Sequence, residues 1–295
     1  MPRSPSLHYA AILTRDVGVT AAFYEQRLGM GPVKAAGVRG NDGSLWLLPG
    51  PGPASFALRL MGPPFRGWID DLYQQRGPTI GFLSFLVEQP EVWRERLKGS
   101  GANLIARGDP SADTEGVVFV DPAGVLVELV SYPNTPPWPQ AIKGEPSPGL
   151  RLHHVSITCG DLGAEEHFYQ ETLGMETFYT RPADDIVFLA DATLIEDPTR
   201  AEPTVELLGP ASLTELNEPH FRRFGGFIDH ISFLTADVDQ TYQELSSEGV
   251  HFDIVPVDFG PNRISFFQDP NGISLEIERL LWDERLASWR RRRPA

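Results

Sequence analysis

The chain has 295 residues, of which 41% are hydrophobic, and its 40 acidic and 25 basic side chains give a formal net charge of −15. This charge repels polyphosphates and argues against nucleic acid or an anionic membrane as the main partner, which leaves a small molecule. No apolar run approaches the roughly 18 residues that span a bilayer, and MPRSPSLHYAAI lacks the apolar region of a secretory signal. We therefore expect a cytoplasmic protein. Cys159 is the only cysteine, which excludes an intramolecular disulfide and a thiolate zinc cluster.

The sequence of the first half recurs about 145 residues later. LHYAAILTRDVGVTAAFYEQRLGM begins at Leu7 and LHHVSITCGDLGAEEHFYQETLGM at Leu152. The closing segments DPAGVLVEL and DPNGISLEI also match, so that Glu128 corresponds to Glu276. The repeat predicts two domains, at residues 1–131 and 150–280. A proline-rich linker is expected at 132–149, and a C-terminal helix or solvated basic tail at 281–295.

Each half contains two copies of one pattern, in which a short strand and an amphipathic helix precede several further strands. Helices are predicted at residues 17–28, 90–99, 162–173 and 238–248, each followed by a glycine-containing stop signal. The fold class is therefore α+β, with four βαβββ units in two tandem domains. We expect curved mixed sheets with helices on the outer face and an open concave face on the other side.

Strand alternation predicts where the polar side chains of the second half point, because successive residues of a strand face opposite sides of the sheet. If the apolar positions pack on the helices, one polar side chain from each of four strands reaches the concave face: His154, Glu206, His230 and Glu276. Two imidazoles with one or two carboxylates suit one divalent ion, whether Fe, Mn, Co, Ni or Zn. The first half has Tyr9 and Phe82 where the second has His154 and His230.

The segments LHHVSI, IDHISF, HFYQETLGM and DPNGISLEI resemble the vicinal oxygen chelate superfamily, which includes glyoxalase I, methylmalonyl-CoA epimerase, extradiol dioxygenases and fosfomycin-resistance proteins. The resemblance covers essentially the whole chain. It implies that His154, His230 and Glu276 bind the metal and that the first domain has lost its own, leaving Glu128 as a relic. A homodimer is one possible state, although a chain with four units needs no partner to complete a metal site.

Three functions remain open from this resemblance. In the glyoxalase and epimerase branch a Glu or Gln at the position of Glu206 is a fourth ligand, and Glu206 or Glu276 would move a proton during isomerase or lyase chemistry. The alternative is an extradiol ring-cleaving dioxygenase with non-haem Fe(II). Against it, Glu206 replaces a family histidine and Phe266 a family tyrosine, so the usual proton donors are missing. The third possibility is a drug-binding resistance protein without catalysis.

Four residues are predicted to contact the substrate: Asn262, Arg263, Phe266 and His220. Asn262 and Arg263 belong to GPNRISFF, which is similar to a GNRI-like segment of the epimerases, and Arg263 would bind an acidic group. His220 lies in a predicted lid at residues 215–227, in which Gly225 and Gly226 would allow hinge movement.

Overall fold

Each half of the chain forms one eight-stranded mixed sheet, as the repeat predicts. The structure is a computed structural model that describes residues 5–32, 43–49, 56–100, 102–105, 115–131, 150–191, 204–260 and 262–280. The predicted linker at 132–149 and the tail at 281–295 lie outside the described residues. Among those residues no helix is long and apolar enough to cross a membrane.

The first sheet consists of β1 (Ser6–Leu13), β2 (Met30–Pro32), β3 (Leu45–Pro49), β4 (Ala57–Met61), β5 (Thr79–Leu86), β6 (Asn103–Ile105), β7 (Glu115–Val120) and β8 (Leu126–Ser131). The second consists of β9 (Arg151–Thr158), β10 (Glu176–Arg181), β11 (Ile186–Ala190), β12 (Thr204–Leu208), β13 (Phe227–Leu234), β14 (Phe252–Phe259), β15 (Asn262–Gln268) and β16 (Ser274–Leu280). Their spatial orders are equivalent, β2-β3-β4-β1-β5-β8-β7-β6 and β10-β11-β12-β9-β13-β16-β15-β14. Each sheet therefore joins two βαβββ units through antiparallel pairing of their first strands, β1 with β5 and β9 with β13.

The described helices are α1 (Val17–Leu28), α2 (Trp68–Arg76), α3 (Pro90–Ser100), α4 (Leu162–Glu171), α5 (Glu218–Phe224) and α6 (Val238–Ser247). The four predicted helices are present, with ends that differ by at most two residues. Side chains of Asp16, Asp161 and Asp237 cap α1, α4 and α6 by accepting from backbone N–H groups of the first turn. Sequence analysis missed α2 and α5, which are short and have no capping side chain.

Alternation along the strands divides the two faces of each sheet as predicted. In β1, Ala10 and Ile12 belong to the main core with the α1 side chains, whereas Tyr9, Ala11 and Leu13 belong to a separate cluster. In β9, Val155 and Ile157 belong to the main core. His154 and Ser156 consequently face the opposite side, which is concave.

The two domains contact each other through equivalent surfaces related by an approximate two-fold axis. Four cross-domain contacts carry this symmetry: Phe23 with Phe267, Phe168 with Phe119, the Tyr24 hydroxyl with Asp269, and the Tyr169 hydroxyl with Asp121. Helices α1 and α4 thus each pack against the sheet of the other domain as well as their own. One continuous hydrophobic core spans both domains.

The symmetry is broken by an acidic pair at this interface. Glu165 of α4 is only 1% exposed, and neither of its carboxylate oxygens has a hydrogen-bond partner among the described residues. Burial, and then the charge of nearby Asp121, raise the pKa of Glu165 well above its ordinary value. At the equivalent position of α1 stands Thr20, whose hydroxyl accepts a hydrogen bond from Asn271. Glu165 is therefore held protonated in the folded protein at neutral pH.

The substitution Glu165→Gln is expected to stabilise the protein at pH 8 by about 1–3 kcal/mol. The unfolded chain loses the Glu165 proton above about pH 4.5 and the folded chain only at much higher pH, so this group lowers stability as pH rises. Urea unfolding at pH 5 and pH 8 measures the effect, with the exposed Glu171→Gln on the same helix as the matched control. A wild-type stability that does not fall more steeply with pH than that of Glu165→Gln would contradict the expectation.

Candidate metal centre

Four adjacent strands at the middle of the second sheet each contribute one polar side chain to the concave face. In the spatial order β12-β9-β13-β16 these are Glu206, His154, His230 and Glu276. All four are at least 93% buried. The parallel pairing of β12 with β9 and of β13 with β16 fixes their heights, because Glu206 pairs with Ser156 and Glu276 with Ser232. The four side chains singled out from the sequence are thus brought together.

The atoms that face one another are the two Nε2 nitrogens and one oxygen from each carboxylate. The Nε2 atoms of His154 and His230 are 3.4 Å apart. From His154 Nε2 the distances to Glu206 Oε2 and Glu276 Oε2 are 3.2 and 3.4 Å, and from His230 Nε2 both are 3.6 Å. Two nitrogens bound to one ion at about 2.1 Å are themselves about 3.0–3.4 Å apart. These separations match a shared ion.

A carboxylate next to the Nδ1 atom of each histidine orients its ring, and a β-bulge lies beside each of the two histidines. The pairing of β13 with β9 shifts register at Asp229, so Asp229 lies next to the His230 ring instead of on the opposite face. Its Oδ1 accepts from His230 Nδ1 at 2.9 Å, while its Oδ2 accepts from Thr158 and Asn217, each at 3.0 Å. With Nδ1 occupied, Nε2 of His230 is the nitrogen left for a metal.

The second bulge is at His153, the residue before His154. Glu278 Oε1 is 3.1 Å from His154 Nδ1, and it also contacts His153 Nδ1 and accepts from Ser232 at 2.9 Å. Regular strand alternation would direct His153 away from His154, and the bulge brings the two rings together. Sequence analysis missed the roles of Asp229 and Glu278. The only sequence signals were that Asp229 directly precedes His230 and that Glu278 lies two residues after Glu276.

The charges of the site shift its pKa values in a consistent direction. Burial alone would lower the pKa of His154, but Glu206 and Glu278 outweigh it and raise that pKa to about 9. Burial likewise lowers the pKa of His230, but Asp229 and Glu276 outweigh burial and raise that pKa well above 6.5. The neighbouring carboxylates thus favour the protonated form of both imidazoles, and a metal ion that binds them competes with those protons.

The two glutamates differ in their surroundings. Oε2 of Glu206 accepts a hydrogen bond from the Ser156 hydroxyl, and the neighbouring histidines outweigh burial to lower the pKa of this carboxyl. Oε2 of Glu276 is buried without a hydrogen-bond partner, and burial followed by the charge of Glu278 raises its pKa. A buried carboxylate oxygen without a donor is costly unless a cation completes its surroundings. The donor atoms of His154, His230 and Glu276 all lie within 4.8 Å of one another, so the residues present fit a divalent ion.

A sequence profile described as the glyoxalase/bleomycin resistance protein/dioxygenase superfamily matches residues 6–129 and 151–277. The chain belongs to this superfamily. The match covers both halves, which confirms the resemblance seen in the sequence. A search of curated protein sequences found no significant match.

Solved structures of the same fold have low sequence identity to this superfamily member. A Mn(II)-bound glyoxalase from Novosphingobium aromaticivorans is 15% identical with a TM-score of 0.63, over 95% of this chain and 84% of the glyoxalase. The 2,3-dioxygenase LapB from Pseudomonas sp. KL28 is 17% identical with a TM-score of 0.61, over 95% and 93%. A mutant 4-hydroxymandelate synthase from Streptomyces coelicolor is 17% identical with a TM-score of 0.66, over 94% and 93%. These similarities show the fold.

A cavity of about 700 Å³ opens over the candidate centre and is lined by both domains. The second domain contributes Asn262, Phe266 and His220, whose contact with a substrate stays a prediction. The Phe266 ring stands edge-on to the His230 ring with centroids 5.0 Å apart, and Asn262 donates to Glu278 at 3.3 Å. The first domain contributes Arg76, Thr79 and Ile80 among others, so it forms one wall of the cavity.

Arg263 is not part of this cavity. Its guanidinium forms ion pairs with Asp239 at 2.6 Å and with Asp258 at 2.7 Å, at the surface of the second sheet. On β15, Arg263 alternates with Asn262, which explains why the two neighbours face opposite sides. The predicted contact of Arg263 with an acidic substrate group is therefore not supported.

The equivalent positions of the first domain hold a network centred on an arginine. Tyr9, Phe82 and Glu128 replace His154, His230 and Glu276, and strand pairing places Arg59 opposite Ala11 as Glu206 is placed opposite Ser156. Arg59 donates to the Tyr9 hydroxyl at 3.1 Å, and Glu128 accepts from Tyr9 and from Ser84. A guanidinium thus supplies positive charge here, and Glu128 is a hydrogen-bond acceptor in this network. Aromatic side chains of α2, including Trp68, pack over the same face.

The substitution Tyr9→Phe is expected to leave the metal content unchanged. It removes one hydroxyl from the first-domain network and touches none of the second-domain ligands, so only a loss of stability of about 1–3 kcal/mol is expected, since Glu128 is left with one donor fewer. Elemental analysis of the purified variant, together with thermal unfolding, measures both quantities. A lower metal content in the folded variant would indicate a site shared between the halves.

Proposed function

We propose that this protein is a divalent-metal-dependent enzyme of the glyoxalase and epimerase type, which binds two neighbouring oxygens of a small organic substrate and transfers a proton. The observation that carries the proposal is the convergence of Glu206 with His154, His230 and Glu276 around one point at the floor of a cavity. A divalent ion there would polarise the substrate oxygens and acidify the adjacent C–H.

Glu206 is the side chain best suited to move the proton. Glu276 Oε2 has no hydrogen-bond donor and depends on a cation, which suits a permanent ligand. Glu206 has an alternative partner in the Ser156 hydroxyl, so its carboxylate is not stranded when it faces the substrate. The Ser156 hydroxyl also lies 2.9 Å from His230 Nε2. It therefore holds the Glu206 carboxylate beside the metal-facing nitrogen of His230.

Asp229 and Glu278 keep both imidazoles in one orientation throughout such a cycle. Each accepts from the Nδ1 side of its histidine, which fixes the ring and increases the basicity of the opposite nitrogen. Phe266 and Phe188 pack edge-on against His230 and His154 respectively and exclude water from their rings. A dry, fixed set of ligands strengthens the electrostatic effect of any ion bound there.

Ring cleavage by oxygen is less well supported by the same surroundings. Phe266, which lines the cavity beside His230, has no hydroxyl, and Glu206 cannot act as an imidazole acid. The proton donors expected for an extradiol reaction are therefore missing from these two positions.

Metal analysis followed by isotope exchange tests the proposal. Protein purified without chelator is analysed for bound metal, reloaded with Mn, Fe(II), Co, Ni or Zn, and incubated anaerobically in D2O with small compounds that carry vicinal oxygens next to a C–H. We expect one metal per chain and metal-dependent deuterium entry into a substrate. Absence of stoichiometric metal would favour a binding protein, and turnover that consumes oxygen would favour a dioxygenase; either result would overturn the proposal.

A further inference from the structure

The first domain directs one arginine into the cavity of the second. Arg76 is the last residue of α2 and is half-buried. Its Nη2 donates to the backbone oxygen of Gly226 at 3.3 Å, and its Cζ lies 5.4 Å from the centroid of the Phe224 ring. Gly226 in turn packs against the backbone of Ala123, where a Cβ would come within 2.2 Å of the Ala123 oxygen. The close packing of the two domains therefore fixes the position of this guanidinium.

Arg76 forms no ion pair with any residue that the structure describes. Burial lowers its pKa, and no carboxylate among the described residues offsets that effect. A half-buried guanidinium without a counter-ion is unfavourable. The chain has 40 acidic residues, and none of those that the structure describes forms an ion pair with Arg76. The arrangement is explained if an anion from outside the chain completes the surroundings of Arg76.

The other arginines of the cavity differ in this respect. Arg181 is neutralised by Asp184 at 2.8 Å and stacks on Phe259, and Arg15 is exposed to solvent. Only Arg76, among the described arginines of the lining, combines burial with a missing counter-ion. Its remaining N–H groups form the planar fork that matches a carboxylate.

A second incomplete polar group lies beside Arg76. His220 Nε2 is buried without a hydrogen-bond partner, and its ring is held between Phe224 and Phe227 at centroid distances of 4.6 and 4.3 Å. Burial, and then the positive charge of Arg76, lower the pKa of His220, so it is neutral at physiological pH and able to donate or accept one hydrogen bond. On one wall of the cavity, Arg76 thus lacks a counter-ion and His220 Nε2 lacks a hydrogen-bond partner among the described residues.

We infer that Arg76, supplied by the first domain, binds a carboxylate of the substrate at the cavity wall that His220 also lines. The inference rests on the proposed function, because it makes the substrate an organic acid whose vicinal oxygens reach the metal centre while its carboxylate meets the opposite wall. It also assigns the first domain, which has no metal ligand set of its own among the described residues, a direct part in specificity.

Three related probes separate the two ends of the cavity. 3-(3,4-Dihydroxyphenyl)propanoate carries vicinal oxygens and a carboxylate, 4-methylcatechol carries only the vicinal oxygens, and 3-phenylpropanoate carries only the carboxylate. Affinities are measured by calorimetry and ligand-observed NMR on the metal-loaded chain. We expect Arg76→Gln to weaken the first and third probes by about 10- to 100-fold and to leave 4-methylcatechol unchanged. Arg263→Gln removes the same charge outside the cavity and is expected to change none of them.

Each result has a definite meaning. Equal binding of the two acids by wild type and Arg76→Gln would overturn the inference, as would equal loss of all three probes, which would indicate a structural role. Arg76→Lys retains the charge and is expected to recover part of the affinity for the acids. If 3-phenylpropanoate binds through Arg76 while the catechols do not use the metal, the inference stands and the proposed function falls. Inorganic phosphate and acetate are also tested for binding to protein saturated with 4-methylcatechol. If phosphate binds through Arg76 and acetate does not, the group recognised is a phosphate and the carboxylate assignment is wrong.

Discussion

The substitution His154→Ala is expected to abolish stoichiometric metal binding and to lower metal-dependent isotope exchange by about 10³-fold or more, since Lewis-acid stabilisation of a transition state is worth several kcal/mol. His154 Nε2 lies within 3.4 Å of Glu276 Oε2, Glu206 Oε2 and His230 Nε2. Its loss therefore removes the candidate ligand atom that is close to all three others. Elemental analysis and exchange rates measure the two effects.

Thermal unfolding gives a further check on His154→Ala. Added metal should raise the melting temperature of the wild type, because an ion that binds only the folded state stabilises it, and should not raise that of the variant. Tyr9→Phe, at the equivalent position of the first domain, is the matched control and should respond as the wild type does. A His154→Ala protein that retains a full metal equivalent would rule out this centre.

The substitution Glu206→Gln is expected to separate metal binding from proton transfer. The amide oxygen can still face the metal and still accept from Ser156, but it cannot take up a proton at neutral pH. We expect near-normal metal content and a fall in kcat for exchange of about 10²- to 10⁴-fold, the usual contribution of a general base. Single-turnover exchange and elemental analysis on the same preparation measure both.

Glu276→Gln is the matched comparison for Glu206→Gln. Because Glu276 Oε2 has no hydrogen-bond donor, we expect its replacement to weaken the metal site itself, so metal content should fall together with exchange. If Glu276→Gln keeps its metal and loses exchange while Glu206→Gln keeps both, the base is Glu276 and the assignment of the two glutamates is reversed.

Much of the candidate centre followed from the sequence because it depends on local periodicity. His154 to Thr158 and His230 to Phe233 alternate with period two, and a buried sheet face requires that pattern. Strand alternation therefore placed His154 and His230 on one face without knowledge of the partner strands. Their functional roles remain predictions, which the experiments above test.

The surroundings of these histidines were not predictable in the same way. Asp229 and His153 reach their partners through β-bulges, and a bulge arises from the pairing of two distant strands, which local sequence does not encode. The ion pair of Arg263 was not predictable for a similar reason, since its partner Asp239 lies on α6, 24 residues away along the chain.

The sequence by itself determined the duplication, the four βαβββ units and the unequal ligand sets of the two halves. Repeats and alternation can be recognised along the chain without knowing which strands pair. Only the tertiary structure decided that Arg59 stands where Glu206 does, that Asp229 and Glu278 orient the two imidazoles, and that Arg76 of one domain faces the cavity of the other. These features depend on register and domain packing, in which residues far apart in the chain become neighbours.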